Sequence, residues 1–390
     1  MPMLEGASII CFAHDWGGDP TSKTHIMRIL AEKNRVLWVS SIGMRRPSAS
    51  GRDVRRLLTK FRVALRGSRR VAPNLSVFNP LVLPFPGTPG VEALNTTILS
   101  SSIRYLSRRL GLTRPILWSF LPNVARLVGR LGEGMVVYHC VDEYSAFAGV
   151  AREKLQRMER ELIRKSHVVF TSSEELAQER RAYNPQTFFV SHAVDVAHFS
   201  RALASDTTPP PDVAGLKRPV IGFFGLIAEW IDLSLLREIA LARPEWSVVL
   251  IGKATTDLTP VRDVPNVHLL GQKPYEALPG YCKAFDVGLI PFRLNELTRK
   301  ANPLKLREYL AAGLPVVSSD LPEVRRYERL VRVASGVDGF IHAVEAALEE
   351  GTDTARRVRV EAMRSESWEA RVDELSRRIM AARRREPGAR

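Results

Sequence analysis

The sequence predicts an α/β protein of two doubly wound domains with buried, parallel strands. Three observations carry that expectation. Short apolar runs alternate with segments of helical periodicity along most of the chain. The polar, Pro-rich stretch Ala204-Ser205-Asp206-Thr207-Thr208-Pro209-Pro210-Pro211-Asp212 interrupts the alternation, which then restarts. The 390 residues suffice for two or three domains of ~100–200 residues, each with its own core.

Ala7–Phe12 reads as the first strand. It runs into a Gly-containing loop, His14-Asp15-Trp16-Gly17-Gly18-Asp19-Pro20, then a helix from Ser22 and a second strand at Val36–Val39. Further strands are expected at Ile116–Trp118, from Met135 to Cys140 or Val141, and at His167–Phe170, with a helix at Ala151–Arg164. After the Pro-rich stretch come strands at Val220–Phe224, Val248–Ile251, Val267–Leu270, Val287–Ile290 and Pro315–Ser318. Helices at Leu233–Leu241, Tyr275–Ala284 and Pro303–Ala312 separate them. The bounds are a first domain at 1–203, a linker at 204–218, a second domain at 219–364, and a terminal helix with a basic tail at 365–390, Asp353–Arg385 reading as helix throughout. Two doubly wound domains place a ligand cleft at the carboxyl ends of their strands.

Composition narrows the function. Cys11, Cys140 and Cys282 are far apart and exclude a disulfide framework or a Cys-rich zinc site. No apolar run is long enough to span a bilayer, and no basic-then-apolar leader opens the sequence, so a cytoplasmic protein is expected. Fifty-seven Lys and Arg against 42 Asp and Glu leave a net charge of +15, which favours an anionic partner: a phosphorylated ligand, an anionic membrane or nucleic acid.

The most informative segment is Ala301-Asn302-Pro303-Leu304-Lys305-Leu306-Arg307-Glu308. Asn302 suits an N-cap and Pro303 a first helical position, while Gly313 and Pro315 end the helix just before a buried strand. Its amino terminus, with Leu304 and Lys305 in the first turn, offers N–H groups and positive field to an anion. Lys305 and Glu308 share a face. They are either a surface ion pair or a grip on a nucleoside diphosphate, lysine on phosphate and glutamate on ribose.

With these residues the chain resembles the GT-B glycosyltransferases, specifically family 4 and related polysaccharide-assembly enzymes. His192-Ala193-Val194-Asp195 with Phe199, the turn Gly271-Gln272-Lys273-Pro274-Tyr275, Ser365-Glu366-Ser367-Trp368 and the glycine pair Gly17-Gly18 also resemble family segments. The resemblance implies two Rossmann-like domains, a terminal helix returning to the first domain, a nucleotide-sugar substrate and no metal or other cofactor. It places Gly17 and Gly18 near the donor phosphates, Tyr275 at the nucleobase and Gly225 after the first strand of domain two. The Arg and Lys that family 4 carries near that strand are missing from Gly225–Asp232, and Glu296 stands twelve residues before Glu308 instead of eight. Phosphate neutralisation then rests on Lys305, the helix terminus and Arg299 or Lys300.

His139-Cys140-Val141-Asp142-Glu143-Tyr144 is the second informative segment. Asp142 falls at the carboxyl end of a strand, at a place similar to that of the base aspartate in the xanthan glucuronosyltransferase. It is the candidate to remove the acceptor hydroxyl proton, with Glu143 and His139 as alternatives; the competing reading is an Asp that caps the next turn. Between Arg45 and Arg70 stand ten basic residues and one acid. Within that run, Asp53–Gly67 reads as an amphipathic helix carrying Arg55, Arg56, Lys60, Phe61 and Arg62. It suits an anionic membrane surface or a lipid-linked acceptor, or else docks on domain one.

The expected function is transfer of a sugar from a nucleotide diphosphate donor, UDP-linked, to a glycan or lipid-linked acceptor, with peripheral attachment to the inner membrane face. A nucleotide-sugar epimerase on the same fold is the alternative enzyme. A nucleic-acid-binding protein is the alternative of another class, disfavoured because aromatic residues are not interleaved with the cations.

Overall fold

The structure, a computed structural model, describes residues 3–40, 67–80, 89–147 and 149–384. The chain divides into two units, Met1–Ser191 with Arg371–Arg390, and His192–Ala370. The division falls ahead of the Pro-rich stretch expected to be a linker. That stretch belongs to the second unit, where Pro211–Ala214 is helical and Val213 is buried in the core.

The first unit contains β1 (Ser8–Phe12), β2 (Arg35–Val39), β3 (Ser68–Ala72), β4 (Leu75–Phe78), β5 (Ile116–Ser119), β6 (Met135–Cys140), β7 (Val168–Thr171) and β8 (Thr187–Phe189). Their spatial order is β3-β4-β2-β1-β5-β6-β7-β8. All pairs are parallel except β3 with β4. β1, β5, β6 and β7 are buried along their whole length, so each reads as an unbroken apolar run rather than an alternating one. The edge strand β3 carries Arg69 and Arg70 into solvent; a polar edge of this kind gives little hydrophobic signal and was not foreseen.

The second unit contains β9 (Val220–Phe224), β10 (Ser247–Ile251), β11 (Val267–Gly271), β12 (Val287–Ile290), β13 (Val316–Ser319) and β14 (Val331–Ala334), in the order β11-β10-β9-β12-β13-β14 and parallel throughout. Helices Leu233–Ala242 and Gly336–Leu348 bury Leu236, Ile239, Phe340 and Val344 in one of its cores, and helix Leu304–Ala311 buries Leu306, Tyr309 and Leu310 in the other. Each unit is thus a Rossmann-like doubly wound sheet, and each sheet reverses its strand order once: between β1 and β5 in the first, between β9 and β12 in the second.

The final stretch is two helices rather than one. Asp353–Met363 ends at a 3-10 turn over Arg364–Glu366, and Trp368 opens the last helix, Trp368–Arg383, within which the chain passes back to the first unit.

Candidate active site

In the second unit the reversal point is built around Gly225, the residue after β9. Its φ of +141° lies where side chains other than glycine are strained, and a Cβ there would meet Lys305 Cε at 2.5 Å. Lys305 therefore lies across the backbone at the end of β9, with Nζ 5.7 Å from the Phe224 ring centre and 3.8 Å from the Glu308 carboxylate. Both side chains are largely covered, 24% and 11% exposed, so this ion pair differs from a solvated helical one.

The helix that carries Lys305 is held in place by its own sequence. Tyr309 packs its ring on Gly288 of β12, where a Cβ would come within 2.8 Å, and its hydroxyl accepts from the Phe224 N–H at 3.1 Å. Leu314 N–H reaches the Tyr309 carbonyl at 2.9 Å and Gly313 N–H the Leu310 carbonyl at 3.0 Å, a Schellman stop with Gly313 at φ +79°. At the other end the expectation needs correction. The helix begins at Leu304 with Pro303 as its N-cap, and no side chain caps its first N–H groups. Asn302 lies one residue too early to cap; its Oδ1 accepts from Arg307 Nη1 at 2.7 Å. Buried Arg307, whose other nitrogens reach the Tyr327 hydroxyl at 2.7 Å and Glu366 at 3.1 Å, is an internal brace that takes Asn302 out of the cap position.

Tyr275 opens a 3-10 turn and lies parallel on the His198 ring at 4.3 Å, with Phe199 edge-on at 5.7 Å. Asp195 caps the short helix that carries both partners, accepting from the His198 N–H at 2.9 Å. The His-Ala-Val-Asp segment and the Tyr275 turn, 80 residues apart, thus form one structural unit. Arg299 ends the short helix Glu296–Arg299 and is exposed. Gly252, which the sequence reading passed over, follows β10 at φ +146°, its missing Cβ only 1.7 Å from the Gly225 carbonyl oxygen. A glycine directly after a buried strand was its signal.

In the first unit the loop after β1 carries His14 and the glycine pair. Gly17 has φ +114° and both glycines are exposed. Trp38 Nε1 donates to the His14 carbonyl at 3.1 Å and Trp16 packs edge-on against Trp38, which fixes the loop. The loop feeds helix Ser22–Lys33, and Lys23 in its first turn places Nζ 2.8 Å from His14 Nδ1. The ammonium can only donate, so Nδ1 accepts and the ring proton sits on Nε2. Crowding by the surrounding chain, then the Lys23 charge, lower the His14 pKa to about 4. Lys23 was not singled out from sequence, where it looks like any lysine at a helix start.

Asp142 lies two residues past β6, half-buried, its carbonyl accepting from the Tyr144 N–H at 3.0 Å. Desolvation raises its pKa to about 6, opposed by the Lys23 ammonium. The two alternatives to it have structural work instead. Glu143 is buried and paired with Arg180 at 2.8 Å, and its other oxygen accepts from Ser145 at 2.7 Å. Arg180 also reaches Glu159 at 3.2 Å, which in turn accepts from the Tyr138 hydroxyl at 2.8 Å. A carboxylate locked to a buried guanidinium is a poor proton acceptor; here it anchors the turn that presents Asp142. His139 is buried against Phe120 (4.9 Å), Phe170 (5.6 Å) and Trp118 (6.2 Å), and burial drops its pKa to about 3, so it is a core residue. Arg55, Arg56, Lys60, Phe61 and Arg62 lie outside the described residues.

The geometry agrees with what comparison finds. A family model described as glycosyl transferases group 1 matches residues 218–350, the unit that holds Lys305. TuaH of Bacillus subtilis (strain 168), named as a teichuronic acid biosynthesis glycosyltransferase, is 27% identical over 290 residues, covering 68% of this chain and 71% of its own. Among solved structures, Anabaena HepE in complex with UDP aligns over 96% of this chain and all of its own (14% identical, TM-score 0.65). The sucrose-phosphate synthase of Thermosynechococcus elongatus aligns over the same shares at 14% identity and TM-score 0.68. Both units share the fold of these solved structures, and the second unit is similar to the group 1 glycosyl transferases.

Proposed function

We propose that the chain transfers a glycosyl group from a UDP-sugar to a hydroxyl of a glycan or lipid-linked acceptor in the assembly of a cell-envelope polysaccharide. The observation that carries this reading is Lys305 lying over Gly225, an ammonium held above bare backbone at the reversal point of the second sheet. As the glycosidic bond breaks, its electron pair leaves on the diphosphate. Lys305 and the first-turn N–H groups, which no side chain caps, would meet that charge with little reorganisation. Glu308 suits the ribose hydroxyls, and the Tyr275 turn the base. In the first unit Asp142 takes the acceptor hydroxyl proton as the new bond to the anomeric carbon forms. A carboxyl with its pKa near 6 is ionised at neutral pH yet basic enough to assist.

The relative's association with teichuronic acid and the UDP in the HepE complex support the choice of product class and nucleotide. A lipid-linked acceptor would sit at the inner membrane face, and the basic run Arg45–Arg70 is the part of the sequence suited to it. Calorimetric titration with UDP tests the donor half: Lys305→Ala is expected to weaken binding ~10-fold or more, the value of a charge-assisted contact. Equal affinity in the two proteins would remove Lys305 from the phosphate site.

A further inference from the structure

We propose that His198 is a positioning residue for the nucleobase of the donor: it fixes the turn at residues 271–275 beside the strand ends that carry Lys305. This rests on the reading of that turn as the base site. The turn starts in line with the phosphate candidate. Phe224, Ile251 and Gly271 are register partners at the carboxyl ends of β9, β10 and β11. Gly225 N–H donates to the Ile251 carbonyl and Gly252 N–H to the Gly271 carbonyl, both at 2.8 Å. Gly271 thus stands two strand spacings, about 10 Å, from the end of β9. A chain of rings makes the same link through the core. Lys305 Nζ is 5.7 Å from the Phe224 ring centre, Phe224 lies parallel to Phe199 at 6.0 Å, and Phe199 meets Tyr275 edge-on at 5.7 Å. A diphosphate on Lys305 would bring its base to this turn.

His198 holds Tyr275 twice. The two rings are within 9° of parallel at 4.3 Å, and His198 Nε2 lies 3.0 Å from the Tyr275 carbonyl oxygen. A carbonyl only accepts, so Nε2 carries the proton and donates it to this bond. Burial lowers the His198 pKa, opposed by the bond to the Tyr275 carbonyl, which leaves the ring neutral at pH 7. His198 is itself well fixed. Asp195 accepts from its backbone N–H at 2.9 Å, and its neighbour Phe199 is buried in the core of the unit. Gly271, Gln272 and Pro274 are exposed, so much of the turn lies outside that core. The stack sets the Tyr275 ring and the hydrogen bond sets its backbone. A recognition surface ordered in advance loses less freedom when its ligand arrives, and affinity gains accordingly.

Calorimetric titration of the full-length protein with UDP and with inorganic pyrophosphate, which has no base, separates the two halves of the donor. His198→Ala removes both contacts. His198→Phe keeps a ring against Tyr275 without an N–H to donate, and its similar volume preserves the packing should the alanine variant fail to fold. Both are expected to weaken UDP about fivefold, the value of a hydrogen bond, and to leave pyrophosphate unchanged. A purely structural role would lower both affinities together. A loss of UDP affinity under twofold in either folded variant, or an equal loss for pyrophosphate, would overturn the proposal. Failure of the base-site reading is seen separately, as unchanged UDP affinity in Tyr275→Ala.

Discussion

The two candidate sites, one in each unit, lie at equivalent places in two similar sheets and are built by opposite means. In the second unit one continuous segment, Pro303–Gly313, supplies the helix end, the lysine, the glutamate and the stop, and the rest of the site is missing side chains at Gly225 and Gly252. In the first unit the candidates are spread over separate segments: Lys23 bonds His14 across the loop after β1, and the half-buried Asp142 follows β6 with its pKa raised to about 6 by desolvation. Under the proposed function the contrast follows from the tasks. A diphosphate is always anionic and needs fixed positive field and close backbone approach. A proton acceptor needs a tuned carboxyl, and tuning requires partners that only tertiary structure provides.

The largest expected effect lies on the tuned side. Asp142→Asn removes the proposed proton acceptor and should lower turnover by ~10²-fold or more while UDP titrates as in the wild type. Turnover within a few-fold of wild type would remove Asp142 from the proposed role of base. On the donor side, Gly225→Ala forces a side chain into a conformation glycine favours and against Lys305 Cε. The expected outcome is an ~10-fold or greater loss of UDP affinity with unchanged circular dichroism. If affinity survives, Lys305 reaches its ligand by another path.

The same contrast explains what could be read in advance. Pro303, Gly313 and the apolar run after them are local signals, and they placed the helix and its strand within a residue or two. Local signals failed at Asn302, which has a cap residue's chemistry but is drawn off by buried Arg307, a partner five residues along that no capping rule includes. The place of Asp142 just past a strand was legible because the strand before it is a clean apolar run that ends where the polar residues begin. Glu143 and His139, its immediate neighbours in that segment, were indistinguishable from it as candidates until Arg180, from helix Glu174–Arg181, and the ring cluster of Trp118, Phe120 and Phe170 appeared around them. Lys23 carried no signal, since its hydrogen-bond partner His14 lies nine residues before it, on the other side of a loop.

A smaller effect, in stability, sharpens the comparison further. Asp142 has its pKa raised in the folded chain, from 3.8 to about 6, so the fold holds its proton more tightly than the unfolded chain does. Below pH 3.8 both states are protonated and Asp142 costs nothing; as pH rises through 6 the folded protein must ionise a partly desolvated carboxyl, and stability is lost. His139 has the opposite sign. Its pKa falls from 6.5 to about 3, so above pH 6.5 both states are neutral, and between 6.5 and 3 the unfolded chain takes up a proton that the fold refuses. Between pH 6 and 4 the two groups therefore offset each other. At pH 7.5 Asp142→Asn should unfold at higher denaturant than wild type, by about 1–3 kcal/mol once partial exposure is allowed for. It should also lose stability more steeply on acidification, because the compensating proton uptake is gone. Lys305→Ala, in the second unit, should leave that acid slope unchanged, and a slope shared by all three proteins would show that Asp142 is not perturbed by its surroundings and that the first candidate site is no more tuned than the second.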